Sequence, residues 1–415
     1  MFSKQKYLVS IRQNILFLEP SVKRAFPLPS RERVRVRGRY KVCSPSPDSS
    51  SVKGEDVTGN HQKNGGLRLV FVLLLFLIMG LATKPSAVFS QTLPQLIEGA
   101  KKEGSLVLSW GTGTMGGIEG VQTIEKSFNK TYGLNLQFKF TPGPAMPQFA
   151  SRIIQEAKAG QPSSSDLFVG SENHVARMSL KSVDWSKAFS HITAPMIDFD
   201  NRVLIVTSRT PGFTYNSKVV TGNEVPQRVE DVLNPKWKGK IASTPYAASF
   251  DRLSMIWGEE KTTAFLQKFV KQVSGLIRCG EDERIASGEF AMLVFNCDLA
   301  APQEAKEKGG PVDGQVFRDA GILSYWYVTV PTNARNPNAA TLLAAFLLSR
   351  EGQDILYKTE RSSSHLVKGT QMSQFVAEQE KRGVKFVSYS VSEVMKNAEE
   401  HSRIRQKFQK ILAGN

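Results

Sequence analysis

The stretch LPQLIEGAKKEGSLVLSWGTGTMGGIEGVQTIEKSFNKTYGLNLQFKF, residues 93–140, decides the fold. A helical pattern over 93–103 passes Gly104 into a short apolar run over 105–110. A glycine-rich turn then leads to a second helical pattern over 117–132 and a second strand over 135–140. Apolar residues three and four apart mark the helices, and short apolar runs bounded by glycine mark the strands. Two βα units in series predict parallel strands and an α/β protein.

Working outward, 147–159 reads as a helix and 167–170 as a strand, with 202–208 and 214–216 extended. The chain then changes lobe. A short helix over 229–233 precedes a strand over 240–243, helices over 250–258 and 261–272, a strand over 275–278, a helix over 281–287 and a strand over 290–295. A strand over 323–330 returns to the first lobe, 338–349 and 352–358 are helical, and the tail is mostly helical. The expectation is two α/β lobes, each a mostly parallel sheet flanked by helices. Residues 91–209 and 331–415 form the first and 210–330 the second, with crossings near 210–216 and 322–331. Two extended crossings make a hinge.

The net charge of +16 suggests a nucleic-acid or membrane partner until its distribution is read. Residues 1–90 hold 15 Lys/Arg against 5 Asp/Glu, leaving 39 against 33 for the remaining 325 residues, so the folded part is mildly basic. No aromatic stripe interleaved with Lys/Arg accompanies that charge, and nucleic-acid binding is set aside. The run LVFVLLLFLIMGLA, 69–82, follows Lys63 and Arg68 and precedes Ser86, Ala87 and Ser90, the tripartite pattern of a signal peptide over 63–90. Its 14 apolar residues fall short of the roughly 20 a spanning helix needs. Cleavage after Ser90 and a periplasmic location are expected, with an uncleaved anchor on a membrane-tethered sensor as the alternative. Residues 1–62, basic and then Pro/Ser-rich, read as disordered or foreign to the secreted chain, their start placed too early.

In open α/β sheets, ligands sit beyond the carboxyl ends of the strands, where helix N-termini offer free N–H groups. That directs attention to six places. Thr112, Gly113 and Thr114 stand in the glycine-rich first loop, which is either an oxyanion cradle or a flexible turn. The segment TPGPAMP, 141–147, is equally open. Ser171 and Glu172 end a strand, with Ser171 in N-cap position. Ala247, Ala248 and Ser249 open a second-lobe helix with small side chains. Arg278 offers a fork for a carboxylate or phosphate, and Asn296, Cys297 and Asp298 close another strand. Tyr215 and Tyr325, near the crossings, are candidates to stack on a ligand. There is no GxSxG and no HExxH, and catalysis is set aside.

The segments VEDVLNPKWKGKIA (229–242), SGEFAMLVF (287–295), EAKEKGGPV (304–312) and NPNAATLLAAFLLSREGQDIL (336–356) together resemble the periplasmic binding proteins of type II fold. The resemblance is to the group holding the ferric-ion-binding proteins and their relatives for thiamine and organophosphonates, over about residues 93–360. It implies a monomeric carrier that delivers a small solute to the membrane subunits of an ABC importer, with no cofactor. The adjacent tyrosines that ligate iron in that group correspond to Cys297 and Asp298 here, and the first-loop histidine to about Thr114; only Glu172 matches a ligand. One ligand does not hold ferric ion, whereas the anion half of the site, Ala247–Ser249 and Arg278, looks kept. An anionic organic ligand is therefore expected, with a metal carrier on Glu172, Asp298 and Cys297 as one alternative and a secreted enzyme as another. Cys279 and Cys297 read as small buried residues at strand ends. With strand 240–243 between theirs, they would lie beyond the roughly 4.4–6.8 Å Cα separation a bridge requires.

Overall fold

The structure is a computed structural model that describes residues 91–414. The expected signal peptide, 63–90, and the expected extension, 1–62, lie outside the described residues. Among the described residues, no helix is long and apolar enough to cross a membrane.

Helix α1 (Leu93–Glu103) buries Leu96 and Ala100 and is closed by Gly104 at φ 71°, a conformation that glycine adopts without strain. Strand β1 (Ser105–Gly111) points Leu106, Leu108 and Trp110 inward on the alternation of a pleated strand, and α2 (Gly117–Tyr132) returns to β2 (Gln137–Gly143). β1 and β2 pair in parallel, Leu108 bridges Leu167 in parallel, and β3 (Phe168–Gly170) follows α3 (Met146–Lys158). Beyond β3 the direction reverses. β12 (Ser324–Thr329) runs antiparallel to β3 and to β5 (Val203–Arg209), and β4 (Ile197–Asp198) is the edge. The first lobe's sheet is therefore mixed rather than mostly parallel, because the two crossing strands run in opposite directions through it.

Alternation along β5 separates the sheet's two faces. Leu204 and Val206 join the cluster with α1, α2 and α10 (Pro337–Leu347), whereas Val203 and Ile205 join Phe149, Phe168 and Val175 on the opposite face. Every residue of α10 from Ala339 to Leu347 is buried, so it reads as apolar all round. Its unpaired first N–H groups are met by Glu103, which accepts from Asn338 N at 3.0 Å and Ala339 N at 2.8 Å.

The second lobe carries five strands in the order β10 (Val312–Gln315), β6 (Gly212–Asn216), β9 (Met292–Asn296), β7 (Ile241–Ser243), β8 (Val273–Leu276). β7 is parallel to β8 and β9; β6 is antiparallel to β9 and β10. Phe213, Phe250, Phe269, Phe295 and Phe317 fill its core beneath α6 (Ala248–Trp257) and α7 (Glu259–Phe269). Thr210 and Pro211 carry β5 into β6. Leu323 joins β11 (Gly321–Ile322) to β12, and Ser324 lies opposite Arg209, so the two crossings run side by side.

The assignment of 331–415 to the first lobe needs correction. α10 and α11 (Arg350–Glu360) belong there, but β13 (Phe386–Val387) pairs with β11 at the crossing. The last helix of the chain, 398–412, buries Ile404, Phe408 and Leu412 in the second lobe's core. Those three residues, four apart, form an apolar stripe that α6 and α7 cover.

Candidate functional site

The first loop does not hang free. Met115 adopts φ 54° and donates its N–H to Glu360 Oε2 at 2.8 Å; a Cβ on Gly117 would stand 2.6 Å from the Thr112 carbonyl. Thr112 and Gly113 remain exposed and Thr114 is half-buried. Glu360, whose carboxyl is pushed up by burial against the pull of Arg209, lies 3.6 Å from that guanidinium. Arg209 lies 3.6 Å from Asp298 and sits 4.6 Å over the Trp326 ring. A charged line thus runs from the first lobe through the hinge to the second.

On the other face of the first sheet, Ser171 occupies the expected N-cap position of α4 (Glu172–Val175), but its hydroxyl bonds His174 Nδ1 at 2.9 Å instead of the helix. Glu172 is 8% exposed and accepts from Arg252 Nη2, on α6 of the second lobe, at 2.8 Å. Asp251 is 1% exposed, with Oδ2 held by Arg405 Nε at 2.6 Å and Oδ1 unpartnered among the described residues. Glu172, Asp251, Arg252, Tyr325, His401 and Arg405 line a cavity of about 30 Å³, room for a water or two.

In the second lobe, Ala247 and Ser249 are buried and Ala248 half-buried where α6 begins. The chain after β8 stays paired as far as Ile277, whose N–H donates to Ser243 O at 2.9 Å, so Arg278 stands beside the strand end that leads into α6. Arg278 is exposed and has no ion-pair partner among the described residues.

Two expectations fail here. Cys279 and Cys297 form a disulfide, Cα–Cα 5.6 Å. β7 does lie between β8 and β9, yet both cysteines sit past the strand ends, and their loops meet over the end of β7. Tyr215 is 5% exposed in the second lobe's core. On β6 it is Gly212, opposite Asn296, that marks the hinge end; three residues at about 3.3 Å each carry Tyr215 about 10 Å inward. Asn296 is buried and donates to Thr214 Oγ1 at 2.9 Å and Asp282 Oδ1 at 3.0 Å, so its side chain braces the loop. Asp282, pushed up to about 6 chiefly by burial, keeps Oδ2 unpartnered among the described residues.

A larger cavity of about 330 Å³ opens between α11 and α9 (Ala300–Glu307), within the range of small-solute sites. Asp298, Arg209, Gln303, Glu307, Glu360 and Arg361 line it, and Glu307 reaches across the lobes to Arg361 at 3.4 Å. The expected residues thus divide: Glu172 and Tyr325 line the small cavity, Asp298 the larger one, and Arg278 with Ala247–Ser249 line neither. Sequence reading missed Arg209, Arg252 and Glu360. Arg209 was signalled by its place just before Thr210-Pro211-Gly212, an arginine at a strand end like Arg278.

Two α/β lobes closing on a polar cleft across paired strand crossings define the architecture of the periplasmic binding proteins of type II. The chain belongs to the bacterial extracellular solute-binding proteins, whose family model matches residues 172–390. Its fold is similar to iron-bound HitA from Pseudomonas aeruginosa, at 19% identity over 73% of this chain and 99% of that one, TM-score 0.60. It is also similar to AfuA from Actinobacillus pleuropneumoniae with fructose-6-phosphate bound, at 20% identity over 74% and 98%, TM-score 0.56. A third likeness is to Trichodesmium IdiA (FutA) in complex with iron and citrate, at 19% identity over 74% and 99%, TM-score 0.56. At such identities these likenesses bear on the fold alone. An uncharacterized protein of Haemophilus influenzae is 27% identical over 176 residues, 40% of this chain; the match spans about half, 49%, of that relative's length.

Proposed function

We propose that this protein captures a small anionic organic solute between its lobes in the periplasm and presents it, as a monomer, to the membrane subunits of an ABC importer. The observation that carries the reading is the cleft itself: polar, solute-sized and bounded by both lobes, so that a ligand touching both walls draws them together across the hinge. The family and the fold are those of binding proteins, not enzymes.

The anionic character rests on Arg278, exposed and without an ion-pair partner among the described residues, just past the strand end that leads into α6; it stands outside the lining of the larger cavity, where Arg209 and Arg361 accompany Asp298, Glu307, Glu360 and Glu378. A metal ion is the second reading, favoured by the iron in two of the related structures. Its donors here are engaged elsewhere: Cys297 in the disulfide, Glu172 with Arg252, Asp298 with Arg209. Calorimetric titration of residues 91–415 with fructose 6-phosphate, citrate and inorganic phosphate tests the proposal. Arg278→Ala is expected to weaken whichever probe binds by about tenfold or more, with the melting temperature held. Equal affinity of the variant and the parent would remove the anion assignment.

A further inference from the structure

The tail joins the lobes a third time. Helix α13 (Val391–Lys396) docks on the first lobe: Val391 is buried with Phe149, Val175 and Tyr327, and its N–H donates to Asp198 Oδ2 at 2.9 Å. Helix α14 (Ala398–Leu412) docks on the second. Beneath its apolar stripe, Arg405 holds Asp251, Lys407 Nζ lies 2.9 Å from Glu259 Oε1, and Gln409 Nε2 donates to Pro245 O at 3.2 Å. Asn397 alone separates the helix fixed to one lobe from the helix fixed to the other.

The joint stands on one particular side of the cleft. Tyr389, Val394, His401 and Arg405 of the tail face Glu172 and Arg252 across the small cavity, on the sheet face that carries α4. The larger cavity opens on the face that carries α11. One residue spans at most about 3.6 Å, so the lobes cannot part at the Glu172–Arg252 contact without undocking α13 or α14. On the α9–α11 side the lobes meet through half-exposed pairs such as Glu307 with Arg361 and Tyr357, and through helix α12 (Gln371–Lys381) of the tail, which lines the larger cavity and packs Phe375 against the cluster of Leu299 and Val316.

We infer that the α13–α14 joint is a strap: it holds the cleft shut on the Glu172 side and limits how far the lobes open. This rests on the solute-binding reading for its purpose, yet its test needs no solute.

Ten Gly/Ser residues carrying a protease site, inserted between Asn397 and Ala398, leave both docking faces intact and add about 17 Å of slack. Spin labels at Gln155→Cys and Lys268→Cys, exposed positions on α3 and α7, report the separation of the lobes by pulsed electron resonance. The parent is expected to show one narrow distance, and the insertion a second, longer population that grows when the segment is cut in the folded protein. Superimposable distributions for the parent, the insertion and the cut insertion would overturn the strap. Because cutting follows folding, a folding defect cannot mimic either result, and failure here would leave solute binding untouched.

Discussion

Asp282 shows how the cleft's second-lobe wall is held and what that costs. Asn296 donates to one of its oxygens while the other stays unpartnered among the described residues, and burial raises its carboxyl to about 6. A carboxyl whose pKa is raised by folding binds more protons in the native state. The associated stability is present below the unfolded value and is lost as pH rises through about 6. The cost of ionising it in place amounts to about 3 kcal/mol. Asp282→Asn keeps the hydrogen-bonding shape without the charge, so its urea midpoint is expected to gain on the parent's between pH 4 and 7. Parallel pH profiles for the two proteins would refute the buried carboxyl's role. Arg278 is the opposite case, an exposed charge with no ion-pair partner among the described residues.

At the scale of elements, legibility followed periodicity. The βα units of 93–140, the helix of NPNAATLLAAFLLSR and the alternate crossings were readable because each displays one clear period or an all-apolar face. What escaped depended on geometry beyond an element's end. Strand order alone argued against a Cys279–Cys297 bridge; the loops past the strands made it possible. Likewise Glu172 was marked as a ligand, but its partner Arg252 comes from a helix of the other lobe, a pairing no local pattern encodes. The bridge closes a loop between residues 18 apart and is expected to contribute about 3 kcal/mol. Reduction under conditions that free two thiols should lower the urea midpoint of residues 91–415 accordingly. An unchanged midpoint with both thiols titrated would mean that the loops are held by Asn296 and Asp282 without it.

The molecule as a whole is a hinge that the tail also bridges. Two strand crossings let the lobes rotate, while the α13–α14 joint limits how far they part on the Glu172 side. The second lobe's loops beyond β8 and β9 are braced by the disulfide and by Asn296. In the first lobe the loop at Thr112–Thr114 is tied to the hinge through Met115, Glu360 and Arg209.

Native mass spectrometry with elemental analysis of the protein from Gln91 onward, gently purified from its own cell envelope, tests the central claim most directly. One small organic anion per chain, lost in Arg278→Ala and free of metal, is the predicted result. Stoichiometric iron, zinc or copper retained by both the parent and the variant would contradict it.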